Sequence, residues 1–140
     1  MRRDHEPPIE ATIAYAADRR GEGVAYARLR SGSGHRLMRI PFRVQRYAGL
    51  EAREISYAAL GAVATALLER GFSRTRFALA DEALVRDVNE RRDVPPPLVL
   101  PYVRLGCSLN RFAEYAVTLA GEDDDLASRA RAEVALHTAA

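Results

Sequence analysis

The chain has 140 residues, 48% of them hydrophobic, with a formal net charge of +2 and a pI near 9.0. That length and apolar content suit one domain with a real core, and the charge is too mild to argue for nucleic acid by itself. No run approaches the ~18 apolar residues of a membrane span, and Met1 to Pro8 lacks the apolar segment of a signal peptide, so a soluble cytoplasmic protein is expected.

Residues 1–8 read as a flexible arm ending in Pro7-Pro8, ahead of a single domain over 9–140. Ile9 to Ala16 reads as a strand with Ile9, Ala11, Ile13 and Tyr15 on one face. The polar stretch Asp18 to Gly23 is a hairpin connection. Val24 to Arg30 alternates again, grouping Val24, Tyr26, Arg28 and Arg30. After Ser31 to Gly34, a third strand from His35 to Val44 places Met38, Ile40, Phe42 and Val44 opposite Arg39 and Arg43. Pro41 cannot donate to a ladder, which puts that strand at a sheet edge.

A helix follows, with Tyr57, Leu60, Ala64, Leu67 and Leu68 along one face and Gly71 as its terminator. Arg76 to Ala80 is short and apolar enough for a buried strand. Asp81 stands where that strand should end, and Ala83 to Asn89 reads as a new helix. A carboxylate at the carboxyl end of a strand is where α/β folds tend to place chemistry. Pro95-Pro96-Pro97 should be an extended connector. Leu98 to Arg111 is a further helix beginning near Pro101, and Cys107 in that apolar run is expected to be a buried, inert thiol. Being single, it forms no internal disulfide, in keeping with a reducing compartment. Phe112 to Ala120 is a fifth strand with Tyr115, Val117 and Leu119 on one face. Glu122 to Asp125 then offers negative charge to the start of a last helix carrying Leu126, Ala130, Val134 and His137.

All 21 basic residues are arginine. Residues 1–46 carry ten of them against five acidic residues, whereas residues 47–140 carry eleven against fourteen, so the positive excess belongs to the N-terminal third. His5, His35 and His137 share no metal-ligand spacing, and no zinc site is expected.

Three antiparallel strands, then alternating helices and strands, resemble the ribonuclease H-like superfamily, of the ribonuclease HI or reverse-transcriptase type. Ser56-Tyr57-Ala58-Ala59-Leu60 through Leu68-Glu69-Arg70-Gly71 is similar to that family's first-helix pattern. Ala80-Asp81-Glu82-Ala83-Leu84-Val85 resembles the segment ending its fourth strand, Leu100-Pro101-Tyr102 the opening of the next helix, and Asp124-Asp125-Leu126-Ala127 its terminal helix. The resemblance spans residues 9–138 and implies an α/β fold: a five-stranded mixed sheet with helices on both faces.

It also implies four carboxylates holding two Mg²⁺ ions, which activate water and stabilise the leaving oxygen of a phosphodiester. Carried over residue by residue, Asp81 and Asp124 match, whereas Ala16 and Ser56 occupy the other two positions. Glu10, Asp18 and Glu54 are the carboxylates that could substitute, although Glu54 lies about 200° around the helix from Ser56. The family's Asp-Gly pair and its long glycine-rich first hairpin are absent. The expectation is a catalytically degenerate domain needing no cofactor. It would bind nucleic acid through Arg28, Arg30, Arg39 and Arg43, or bind a protein partner or a second copy. The alternative is an active Mg²⁺-dependent endonuclease acting on RNA–DNA hybrids.

Overall fold

Strong alternation of apolar and polar residues builds three antiparallel strands first: β1 (Ile9–Ala17), β2 (Glu22–Ser31) and β3 (Gly34–Arg43). The structure, a computed structural model, describes residues 7–32, 34–44, 51–90, 93–121 and 123–139. Most of the expected arm, and His5 within it, lies outside these. The β1–β2 connection closes tightly because Asp18 Oδ1 accepts from the amides of Arg20 and Glu22, at 2.8 and 3.0 Å. Gly21 adopts φ +86°, and a Cβ there would sit 2.5 Å from the Val44 carbonyl oxygen, so no other residue fits comfortably.

Helix α1 (Glu51–Glu69) then crosses to β4 (Arg74–Leu79), and Gly71 at φ +87° ends it as expected. Strand β4 pairs parallel with β1, and β5 (Glu114–Leu119) pairs parallel with β4. The sheet order is β3-β2-β1-β4-β5, which leaves the Pro41-containing strand at an edge. Between β4 and β5 run α2 (Glu82–Glu90) and α3 (Val99–Leu109), and α4 (Asp124–Ala139) closes the chain. The triple proline ends in a 3₁₀ turn over Pro96–Leu98, so α3 begins two residues ahead of Pro101. Pro101 still lies in the first turn, where its missing N–H costs nothing.

Side-chain alternation splits the sheet into two faces. Ile13, Ala25, Ala27, Leu29 and Met38 face α1 and meet Leu60, Val63, Leu67 and Phe77 in the main core. Phe112, just ahead of β5, stacks edge-on against Phe77 with centroids 5.5 Å apart. The other face is covered by α4 through a much smaller cluster of Ala14, Leu126 and Ala127, with Tyr26 packed against it.

Cys107 corrects one expectation: it is exposed. Leu105 and Leu109, one helical turn apart, take the buried face of α3 and turn Cys107 outward with Val99, Leu100 and Val103. Similarly, of the expected β5 face only Val117, level with the buried Phe77, is buried, while Tyr115 and Leu119 nearer the ends of that edge strand are exposed. Deleting the fully buried Phe77 ring as Phe77→Ala should therefore cost ~3–5 kcal/mol in urea unfolding. Leu119→Ala, at a half-exposed site, should cost under ~1 kcal/mol.

Candidate functional site

The parallel pairing of β1 with β4 builds the site. Its register sets Ile9 opposite Thr75 and Thr12 opposite Ala78. Continued past the end of β4, that register brings Asp81 level with Tyr15. Tyr15 points to the α1 side of the sheet, and Ser56 faces it from the second turn of α1.

Three polar side chains then join in one chain of hydrogen bonds. The Tyr15 hydroxyl lies 2.7 Å from Ser56 Oγ, and Ser56 Oγ makes a short hydrogen bond to Asp81 Oδ2. An ionised carboxylate can only accept, so the single Ser56 proton goes to Asp81 and Tyr15 donates to Ser56. The Ala52 carbonyl, 2.9 Å from Ser56 Oγ, is a second acceptor that competes with Asp81 for the same single proton. The second oxygen, Asp81 Oδ1, accepts from the Leu84 amide at 3.1 Å and caps α2. Both Asp81 oxygens are therefore engaged by the protein. Burial is the main cause that pushes the Tyr15 hydroxyl above the ordinary tyrosine value, and the negative charge of Asp81 adds to it.

These residues floor a cleft of about 1090 Å³ whose walls include Arg53, Arg86, Asp87, Asp123 and Arg131. Asp87 is 5% exposed, accepts from the Tyr57 hydroxyl at 2.7 Å and pairs with Arg53 at 3.0 Å. That buried group ties α1 to α2 beneath the cleft.

The sequence-derived site set is redistributed. Asp81 and Ser56 come together. Ala16 lines the cleft but is one residue out of phase: it pairs with Val24 and faces α4, while Tyr15 makes the contact to Ser56. Asp124 is exposed and does not line the cleft; the lining residue is Asp123. Helix α4 begins at Asp124, and Asp123 is its N-cap, accepting from the Leu126 amide at 3.1 Å.

None of the three substitute carboxylates joins Asp81. Glu10 pairs in register with Arg76, some 20 Å along β1 from Ala16 at the usual rise per residue. Asp18 is bound into the hairpin. Glu54 is 2% exposed and lines a second groove, between α1, α3 and β3, as its angle around α1 requires.

Among the described residues, no group of three His, Cys, Asp or Glu side chains could hold a metal ion. Each Asp81 oxygen already accepts one hydrogen bond, from Ser56 and from the Leu84 amide. The donor set does not fit a pair of Mg²⁺ ions, which need several free carboxylate oxygens.

The four arginines share the α4 face of the sheet, since Arg28 lies between Thr12 and Leu37, Arg30 between Glu10 and His35, and Arg39 beside Tyr26. Arg28 lies 3.5 Å from both Asp123 and Asp125, and Arg43 lies 2.9 Å from Glu22. Arg39 forks onto Glu133. Arg30 is exposed. No described helix is long and apolar enough to cross a membrane.

Sequence reasoning missed Tyr15 and Asp123. A tyrosine on a buried strand face needs a partner for its hydroxyl, which was a signal for the first. The acidic run offers several caps with similar claims, so only the helix start separates Asp123 from Asp124.

No protein-family model and no curated protein sequence matches the chain. Solved structures do. Ribonuclease H1 of the archaeon Halobacterium salinarum superposes with a TM-score of 0.70 at 20% identity, covering 91% of this chain and 99% of that one. The N-terminal ribonuclease H domain of a Mycobacterium tuberculosis protein gives 0.66 at 15% identity, over 93% and 99%. LC11-RNase H1, solved in complex with an RNA/DNA hybrid, gives 0.63 at 12% identity, over 91% and 99%. The fold is ribonuclease H-like: an α/β mixed sheet in the order β3-β2-β1-β4-β5 with four α-helices.

The geometry makes Tyr15 testable on its own. Tyr15→Phe should lower stability by ~1 kcal/mol at neutral pH, the usual net worth of one hydrogen bond. Because the raised pKa means the folded state holds the Tyr15 proton more tightly, its contribution is present below the ordinary value of 10.0 and is lost as pH climbs above it. Urea unfolding from pH 8 upward should show a shallower alkaline decline in the variant than in the parent.

Proposed function

We propose that this chain is a non-hydrolytic ribonuclease H-like domain that binds nucleic acid without cutting it. The observation that carries this reading is the Tyr15–Ser56–Asp81 chain of hydrogen bonds. It puts two hydroxyls beside the strand-end carboxylate of Asp81, whose Oδ2 accepts from Ser56 while Oδ1 accepts from the Leu84 amide. Two-metal phosphodiester hydrolysis needs a clamp on both the attacking and the leaving oxygen. Here Asp81 and Asp123 line the cleft, but Asp81 caps one helix and Asp123 caps another. No hydrolytic step follows from these residues.

Binding draws on different groups. Arg53, Arg86 and Arg131 line the cleft, and Arg28, Arg30, Arg39 and Arg43 stand on the neighbouring sheet face. Guanidinium groups recognise phosphate oxygens in pairs and need no metal to do so. Nucleic acid is the ligand class favoured by the likeness to LC11-RNase H1, whose structure holds an RNA/DNA hybrid. On this reading the domain is 9–140 and requires no cofactor.

An end-labelled RNA–DNA hybrid tests both halves. In Mg²⁺ or Mn²⁺ the protein should leave the hybrid intact, at the same background level as an Asp81→Asn control. At low salt it should retain the duplex in a mobility or anisotropy assay, with the logarithm of affinity falling by about 0.9 per phosphate contact for each tenfold rise in salt. Metal-dependent cleavage that the control abolishes would establish the nuclease instead. Absence of binding at low salt would remove nucleic acid as the ligand.

A further inference from the structure

Helix α4 covers the arginine-bearing face of the sheet, and acid side chains make much of that contact. Its apolar anchor is small: Leu126 and Ala127 meet Ala14 and the half-buried Tyr26 ring, and Ala130 is buried on the same side. Around that anchor, Asp123 and Asp125 flank Arg28, and Glu133 takes Arg39. The Glu133 contact is two-pronged: Arg39 Nε donates to Oε1 at 2.7 Å, and the Arg39 terminal nitrogen makes a short bond to Oε2. The Tyr26 hydroxyl donates to the same Oε1 at 2.6 Å and fixes the carboxylate in place. The hydrogen bond to Glu133 is the main cause that raises the Tyr26 pKa, and it does the same to Arg39, as expected of one tight cluster.

A carboxylate gripped by both nitrogens of a guanidinium fork has the geometry a phosphate takes in the same fork. We infer that α4 is an internal competitor for nucleic acid: Glu133, with Asp123 and Asp125, occupies the guanidinium groups of Arg39 and Arg28 that a phosphate backbone would use. This rests on the nucleic-acid reading above and adds its regulation. The arginine ends of the pairs sit at the surface, Arg28 at 38% and Arg39 at 48% exposed, facing Asp125 at 68%, Asp123 at 25% and Glu133 at 19%. Exposed pairs are screened by salt and replaced at little cost by another anion. Nucleic acid landing on this face must therefore strip the acid side chains of α4 from the arginines and loosen the helix from the sheet.

The test measures anisotropy of a labelled RNA–DNA duplex at low salt with the parent, Glu133→Gln, Arg39→Ala and the double variant. Glu133→Gln keeps the side-chain volume and should bind about fivefold tighter, the equivalent of releasing Arg39 from one ion pair of ~1 kcal/mol. Arg39→Ala should bind more weakly, and the gain from Glu133→Gln should vanish when Arg39 is already alanine. Asp125→Asn, at the most exposed of the acid positions, gives a second variant in case Glu133→Gln folds poorly, and it should also bind tighter. Hydrogen exchange should show α4 amides exchanging several-fold faster with duplex bound, with α1 unchanged. Measurable parent binding that neither acid substitution tightens, or α4 amides unmoved by the duplex, would overturn the competitor and leave the binding reading standing. No binding by any of the proteins would overturn both.

Discussion

The hydrogen bond from Ser56 to Asp81 is the constraint on which the rest of the site depends. It exists because β1 and β4 pair in parallel with a register that sets residue 81 level with residue 15. A slip of one residue would send Tyr15 to the opposite face of the sheet. Given that register, α1 needs a side chain at position 56 that can lie between a phenol and a carboxylate, and serine does so while remaining 1% exposed. A glutamate in the same place would set two carboxylates against each other, a repulsion relieved by a bound cation or by protonating one of the pair. Serine avoids that repulsion. The other Asp81 oxygen caps α2 through the Leu84 amide.

The opposite side of the sheet follows a related logic. Charges that could have faced a ligand are turned on one another: Arg28 on Asp123 and Asp125, Arg39 on Glu133, Arg43 on Glu22. The N-terminal third has a positive excess and the remainder a negative one, and α4 brings the two together. Thus the charge imbalance read along the chain becomes a contact between a basic strand pair and an acidic helix. Docking by charge around a small apolar anchor is weaker and more salt-sensitive than docking by a large core.

Much of this was legible in the residues. Period-two alternation marked the first three strands, Pro41 marked the edge strand, and Gly71 marked the end of α1, because each is a local preference that tertiary contacts did not override. The register of α1 was legible too, through Tyr57 and Leu60, and it placed Ser56 and Glu54 on different faces as observed. Pairings set by distant packing were not. Arg39 and Glu133 are 94 positions apart, and nothing local announces their meeting. Asp123 and Asp124 differ only in which one precedes the first helical turn. Cys107 looked buried because its neighbours are apolar, but α3 has more apolar residues than its buried face can take.

On the proposed reading, Asp81 is committed to Ser56 and to the start of α2 and takes up no divalent cation. Titrating the protein with Mn²⁺ and following backbone amide signals by NMR tests it most directly, because the paramagnetic ion broadens resonances near wherever it binds. On that reading Mn²⁺ produces no saturable, site-specific broadening at Ser56, Asp81 or Asp123, only weak loss spread over exposed acidic residues. Saturable broadening centred on Asp81 and Asp123, reversed by excess Mg²⁺, would contradict it.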